Sequence, residues 1–381
     1  MKYFIKVLIR QILKIFWIYP VNPLKICLQS FRGLQPTCNP LYIFNRLYEL
    51  HPEYKYIWLV NEIPENKIAN ILYVKKNTIR WFYEILTSKV IITNNGFYSY
   101  TPFRKETVII ETWHGGGAYK KVGSSFEARN KKGDKYKSLI YYAKHIKYYI
   151  SSSETFTQIM AQSSLVDKEK FLPIGMPRND IFFYTHIIES VSKKIREKIG
   201  IKQDDYVVLY APTYRGSTKE ARFDNSLDVQ KVKAAVKKRT GRNVMVLFRG
   251  HQLLKKEFNP SDFDFDVSTM PVMQELLCAT DMLITDYSSS MWDFSLLKRP
   301  CLLFAPDFDN YLNNRGFYTD PKDWGFPICK NNKELETAII NFDRKKYIVD
   351  IENHHKNLGS YENGTATKII ADLITEEMKR E

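Results

Sequence analysis

Seven histidines are scattered along the 381-residue chain, and two of them, His114 and His251, stand where a short apolar run gives way to a loop. His114 lies in Glu111-Thr112-Trp113-His114-Gly115-Gly116-Gly117, with Lys120 and Lys121 close behind. Glycines let the backbone approach a ligand and present its amide hydrogens, and an imidazole can take or give a proton near neutral pH. The spacing fits neither the phosphate loop GxxxxGK[ST] nor the dinucleotide fingerprint GxGxxG. Taken alone, a loop histidine can equally do no more than bond to nearby backbone.

Four segments carry groups suited to anions. Pro173-Ile-Gly-Met-Pro-Arg178-Asn-Asp180 places Arg178 where it could hold a phosphate or merely pair with Asp180. Ala211-Pro-Thr213-Tyr-Arg215 and Arg249-Gly-His251 each end an apolar run with an arginine, and a guanidinium suits a diphosphate. Thr285-Asp286-Tyr-Ser288-Ser289-Ser290 opens a helical pattern, and hydroxyls with free amides at a helix start form an anion site, although an ordinary N-cap needs only one of them. Asp262, Asp264 and Asp266 suggest a metal-binding DxD, but their alternation with phenylalanine reads more simply as a strand with one wet face. No HExxH, GxSxG or zinc spacing is present, and no metal is expected.

These loops need scaffolding, and the chain supplies it as short apolar runs alternating with helical patterns, the rhythm of α/β architecture. Tyr56–Val60, Val90–Thr93, Val108–Glu111 and Tyr148–Ser151 read as strands of one series. Val207–Tyr210, Val244–Phe248, Met282–Ile284 and Cys301–Phe304 read as strands of a second. A charged helix over Ser190–Gly200 separates the two. The expected organisation is a helix over 1–20, a first doubly wound Rossmann-type domain over 21–195 and a second over 196–381. Ligands of such sheets bind beyond the carboxyl ends of the strands, so a cleft between the domains is the expected site.

Composition narrows the partners. Lys plus Arg number 57 against 42 for Asp plus Glu, a formal charge of +15 that favours anions. Beyond residue 20 the cations are interspersed with acids, which argues against a nonenzymatic nucleic-acid-binding protein. Five widely spaced cysteines without CxxC imply neither a disulfide framework nor structural zinc. In MKYFIKVLIRQILKIFWIY, Lys2, Lys6, Arg10 and Lys14 recur every fourth residue opposite Ile5, Leu8, Ile12 and Ile15. Those charges exclude a signal peptide or a spanning helix. They leave two readings: a helix lying in an anionic membrane surface, or one packed on the domain through its apolar face.

Taken together, TWHG at 112–115, GMPRND at 175–180, YAPTYR at 210–215, RGH at 249–251, ITDYSSSMWDF at 284–294, RGFYTD at 315–320 and ENGTATKII at 362–370 resemble the CDP-glycerol glycerophosphotransferase family of teichoic acid and capsule biosynthesis. The pieces appear in the family's order from about residue 30 onward. The sequence departs from the pattern at Gly250, after His251, and at Gly116-Gly117. The resemblance implies a GT-B-like fold with an acceptor-side first domain and a donor-binding second domain. It implies transfer of glycerol phosphate from CDP-glycerol to a lipid-linked polymer hydroxyl, with release of CMP and no cofactor, at the cytoplasmic face of a bacterial membrane. In those terms His114 is the general base, with Glu111 orienting it, and His251 assists the departing CMP. Thr213, Arg215, Arg249, Asp286, Ser288 and Ser289 hold the donor, and Gly115, Gly116, Lys120 and Arg178 contact phosphate or acceptor. CDP-ribitol as donor fits the motifs as well, and a nucleotide-sugar glycosyltransferase shares the expected fold.

Overall fold

The structure, a computed structural model, describes residues 2–213, 226–250 and 262–380. Two parallel sheets organise the chain. The first has seven strands in the order β3-β2-β1-β4-β5-β6-β7. They are β1 (Asn22–Gln29), β2 (Lys55–Val60), β3 (Ile71–Lys75), β4 (Ser88–Thr93), β5 (Val108–Glu111), β6 (Ile146–Ser151) and β7 (Phe171–Pro173). The second has six, in the order β10-β9-β8-β11-β12-β13. These are β8 (Tyr206–Tyr210), β9 (Val244–Phe248), β10 (Phe265–Asp266), β11 (Met282–Thr285), β12 (Cys301–Phe304) and β13 (Ile328–Cys329).

The strands read as continuous apolar runs because both faces of each sheet are covered. In the second sheet Val207, Leu209, Leu283 and Leu303 join one core, while Val208, Tyr210, Ile284 and Phe304 join the other. Successive side chains point to opposite faces, so every position in such a strand has to be hydrophobic. The five cysteines are free and buried, as small apolar fillers.

Strand β1 lies inside the first sheet, between β2 and β4, although Pro23 and Lys25 interrupt its apolar run. Lys25 is tolerated because its ammonium is paired: Nζ donates to Glu84 Oε2 and to Thr87 Oγ1, both at 2.7 Å. Proline is accommodated near the strand's start, where the ladder has hardly begun.

The chain forms two compact units, residues 1–116, 121–180 and 360–381 in one and 117–120 and 181–359 in the other. Residues 360–381 return to the first unit, where the helix Ala366–Lys379 packs against the helix Cys38–Leu50 and strands β1 and β4. The DFDFD segment contributes only the two residues of β10. Phe263 there is buried, while Asp264 accepts from Val246 N at 2.7 Å and pairs with Lys233 Nζ at 2.6 Å.

The helix Tyr3–Leu13 packs on the rest of the first unit through Lys6, Arg10 and the buried Leu13, and the following turn Lys14–Ile18 through Phe16 and Trp17. Lys6 Nζ donates to Ser138 Oγ at 2.8 Å, and the Arg10 guanidinium sits 3.8 Å over the Tyr141 ring. Phe4, Ile5, Leu8, Ile12, Ile15 and Ile18 are all exposed, Ile12 at 71%. The apolar row thus faces outward, the reverse of a surface helix held by its hydrophobic face. Among the described residues no helix is long and apolar enough to cross a membrane.

Candidate active site

In each sheet the strand order reverses once, between β1 and β4 in the first and between β8 and β11 in the second. A reversal leaves a crevice at the carboxyl ends of the two strands, where ligands of doubly wound sheets bind. Among the described residues, His114 and Glu111 lie at the first of these places and Thr213, Asp286, Ser288 and Ser289 at the second.

At the first switch point, β1 ends beside Phe31, β4 beside Asn94, and β5, one strand further, at Glu111. His114 is half-buried, its Nδ1 2.6 Å from the Asn94 carbonyl oxygen. A carbonyl only accepts, so Nδ1 carries the hydrogen and the neutral ring keeps its lone pair on Nε2, the tautomer a general base needs. The ring also packs edge-on against Phe31 and close to Trp113, with centroids 5.3 and 4.4 Å away.

The loop that carries His114 is strained and heavily tied down. Trp113 has φ +53°, a left-handed conformation uncommon for a bulky residue and tolerated only where surroundings enforce it. Glu111 supplies much of that enforcement. Its Oε1 accepts from Trp113 N at 3.0 Å, and its Oε2 accepts from Gly96 N and from the Tyr142 hydroxyl, both at 2.9 Å. Burial pushes the Glu111 carboxyl up to about 7 despite these donors. Glu111 was expected to orient the imidazole; the bonds above place it on the loop backbone, and the Nδ1 partner is Asn94.

Asn39 Nδ2 donates to the carbonyls of Thr112 and Trp113 at 3.1 and 3.0 Å, and its Oδ1 accepts from Arg178 N at 3.1 Å. Arg178, 5% exposed, spends Nη1 on the His114 carbonyl at 2.9 Å and on Cys38 Sγ at 3.1 Å. It is a brace under the loop rather than the partner of Asp180. That aspartate accepts from Ala366 N and Thr367 N at 3.1 and 2.6 Å, capping the helix Ala366–Lys379. Glu362 in turn accepts from Met176 N and Asn179 Nδ2, both at 3.1 Å. Gly175, at φ +83°, has Glu362 Oε2 and the Tyr361 carbonyl 3.0 Å from where a Cβ would sit, so only glycine fits. The GMPRND and ENGTATKII segments therefore form one clasp.

Gly115 and Gly116 are buried, and Gly117 has φ +74° with the Tyr119 ring 2.4 Å from a would-be Cβ. Lys120, half-buried, forms an antiparallel bridge with Phe317.

At the second switch point, Thr213 follows β8 and Asp286 follows β11. The buried Asp286 carboxylate accepts from Thr213 N at 3.0 and 3.1 Å, from Thr213 Oγ1 at 2.9 Å and from Tyr287 N at 2.6 Å, which pins the two loops together. Ser288 and Ser289 are half-buried at the start of the helix Ser290–Ser295, with Ser288 Oγ accepting from Ser290 N and Oγ. Arg249 directly follows β9; its Nη1 donates to the Met270 carbonyl at 2.8 Å, and burial lowers its pKa to about 10, which leaves it charged at neutral pH. Arg215 and His251 lie outside the described residues. Among the described residues no cluster of histidine, cysteine and carboxylate side chains could hold a metal ion.

Sequence reading missed Cys38, Asn39, Asn94 and Tyr142. Asn94 had a visible signal, the Asn-Asn-Gly that ends the apolar run of β4. The others sit inside helical patterns, where nothing distinguishes them from ordinary core or surface residues.

Two parallel sheets of this kind, each with a strand-order reversal, have the GT-B-like architecture. The pattern of the CDP-glycerol:poly(glycerophosphate) glycerophosphotransferase family matches residues 11–376, and the chain belongs to that family. It is 31% identical over 344 residues to the teichoic acid poly(glycerol phosphate) polymerase of Bacillus subtilis, covering 86% of this chain but 45% of that protein. It is 27% identical over 365 residues to the teichoic acid ribitol-phosphate primase of Bacillus spizizenii, covering 93% and 92% of the two chains. Among solved structures, the wall teichoic acid polymerase TagF, as a histidine-to-asparagine variant soaked with CDPG, superposes with a TM-score of 0.86 at 27% identity, covering 98% of this chain and 94% of that one. The chain is thus an enzyme of the teichoic acid glycerol- or ribitol-phosphate transferase family.

Proposed function

We propose that this protein transfers glycerol phosphate from CDP-glycerol to a hydroxyl of a lipid-linked cell-surface polymer, working at the cytoplasmic face of the membrane. The acceptor hydroxyl gives its proton to His114 Nε2 as its oxygen bonds to the β-phosphorus. The bond from that phosphorus to the bridging oxygen breaks, and CMP departs with the electron pair. Thr213, Asp286, Ser288, Ser289, Arg215 and Arg249 hold and neutralise the diphosphate, and His251 donates a hydrogen bond or proton to the leaving CMP. Gly115, Gly116 and Lys120 flank the acceptor.

The observation that carries this reading is the His114 loop: an imidazole whose Nδ1 is committed to a carbonyl, on a backbone held in a strained form from three sides. Such preorganisation serves proton transfer. Likeness to the ribitol-phosphate primase over nearly the whole chain keeps CDP-ribitol as the second donor to try.

The test is CMP release from CDP-glycerol, CDP-ribitol and UDP-sugars with a defined lipid-linked acceptor. CDP-glycerol should give the highest kcat/KM. His114→Ala should lower kcat by about 10²- to 10⁴-fold with donor affinity by calorimetry unchanged. Near-normal turnover in that variant refutes the assignment, and preference for a UDP-sugar refutes the reaction.

The outward apolar row from Phe4 to Ile18 supports peripheral attachment to an anionic bilayer, with Trp17 and Tyr19 at the interface and the flanking cations at headgroup level.

A further inference from the structure

The helix Tyr3–Leu13 borders, with the rest of the first unit, a half-open cavity of about 280 Å³ lined among others by Arg10, Gln11, Lys14, Trp17, Tyr141 and His145. That volume lies at the small end of ligand pockets and suits a polar headgroup rather than a nucleotide. No carboxylate is among its lining residues.

Its walls are fixed before any ligand arrives. Trp17 Nε1 donates to the Pro102 carbonyl at 3.2 Å, the Tyr141 hydroxyl to the Thr101 carbonyl at 2.8 Å, and His145 Nδ1 lies 2.7 Å from the Tyr141 carbonyl. The Arg10 guanidinium is held 3.8 Å over the Tyr141 ring, and its Nε is buried without a hydrogen-bond partner among the described residues. Lys14 Nζ stands 5.3 Å over the Trp17 ring. Arg10 is thus fixed against Tyr141, with which it also shares a side-chain hydrogen bond, and the exposed Lys14 ammonium stands beside Trp17, so the pocket presents two positive charges to an anion.

Position along the helix sets the height of this pocket. At 100° per residue, Val7, Arg10, Gln11 and Lys14 occupy the flank roughly a quarter-turn to a half-turn from the exposed row of Leu8, Ile12 and Ile15. With that row at the headgroup–acyl boundary, the nearer edge of the pocket, at Gln11 and Val7, lies among phosphates rather than acyl chains, with Lys14 next and Arg10 on the far side. We infer that the cavity between this helix and the first unit is a binding site for the phosphodiester of an anionic phospholipid headgroup, gripped by Arg10 and Lys14. The inference rests on the bilayer reading and adds a specific headgroup pocket to it.

Co-sedimentation with phosphatidylcholine vesicles, with and without phosphatidylglycerol, tests it with the full chain. The variants are Arg10→Gln, Lys14→Gln and, as a cation of the same helix outside the pocket, Lys2→Gln. A diffuse surface cation contributes about fivefold in affinity, whereas Arg10→Gln and Lys14→Gln should each cost roughly ten- to a hundredfold on phosphatidylglycerol vesicles. Lys14 is exposed, so its loss cannot be ascribed to unfolding. All variants should keep the wild-type binding to pure phosphatidylcholine, which reports the apolar row. Equal losses in the three variants overturn the pocket and leave only diffuse attraction. Soluble glycerophosphoglycerol, which carries the same phosphodiester, should compete with phosphatidylglycerol vesicles for the wild type; no competition overturns the headgroup pocket, and equal competition by inorganic phosphate overturns the lipid as its source. Wild type that binds no vesicle at all sinks the underlying bilayer reading instead, a distinct outcome.

Discussion

At the level of single residues, the candidate active site separates groups that would do chemistry from groups that hold them. His114 offers Nε2 because the Asn94 carbonyl claims Nδ1. Glu111 and Arg178 both brace the loop that carries it: the carboxyl accepts from Trp113 N, Gly96 N and the Tyr142 hydroxyl, and the guanidinium donates to the His114 carbonyl and to Cys38 Sγ. A carboxyl raised by burial from its ordinary 4.5 to about 7 leaves a measurable mark on stability. Below pH 4.5 the folded and unfolded chains both hold the proton; between 4.5 and 7 only the folded chain does. The stability linked to it is therefore complete below 4.5 and is lost as pH rises through 7. Urea unfolding at pH 5 and pH 8 should show wild type losing about 3 kcal/mol more than Glu111→Gln over that interval. Parallel pH profiles for the two proteins would show that Glu111 titrates as an ordinary surface acid.

Elements carry the next layer, and the clasp between GMPRND and ENGTATKII shows why the family's motifs need not all be catalytic. Asp180 caps the helix Ala366–Lys379, and Glu362 grips the turn that precedes Arg178, so the returning chain secures the brace beneath His114. Asp180→Ala leaves two amides of that helix start without their acceptor and should destabilise the protein by about 2 kcal/mol, read as a lower urea midpoint at unchanged slope. An unchanged midpoint would mean that solvent replaces the cap at no cost. Legibility from sequence follows the same physics. Tyr56–Val60, Val108–Glu111, Val207–Tyr210 and Cys301–Phe304 were readable because strands covered on both faces must be apolar throughout. Strand β1 was not, since Pro23 and Lys25 break its run and only the buried pairing with Glu84 explains the lysine. The Glu111, His114 and Asp286 loops were legible because they follow readable strands. Asn39 and the Asp180 cap were not, because their meaning lies in partners up to 187 residues away, which no local spacing encodes.

For the molecule as a whole, a charge of +15 and a row of outward hydrophobic side chains act together. The donor, the polymer and the inner leaflet proposed for this enzyme are all anionic, so excess cations draw it to its substrates, while specificity has to come from fixed geometry. The helix Tyr3–Leu13 complicates the simple picture of a cationic stripe laid on lipid, because Lys6 and Arg10 are turned onto the protein and the isoleucines are turned away from it. Attachment then depends on apolar insertion first and on charge second. Each buried isoleucine contributes roughly 1.5–3 kcal/mol, so Ile12→Asp with Ile15→Asp should weaken binding to phosphatidylglycerol vesicles by at least a hundredfold. Both side chains are exposed, so circular dichroism and turnover with a soluble acceptor analogue should be unchanged. Raising salt should weaken wild-type binding only partly, because the apolar contribution is not screened. If the double variant instead converts a dimer to a monomer in sedimentation and leaves vesicle binding intact, the row is a contact between two copies of the chain, and the cations alone hold the enzyme to the membrane.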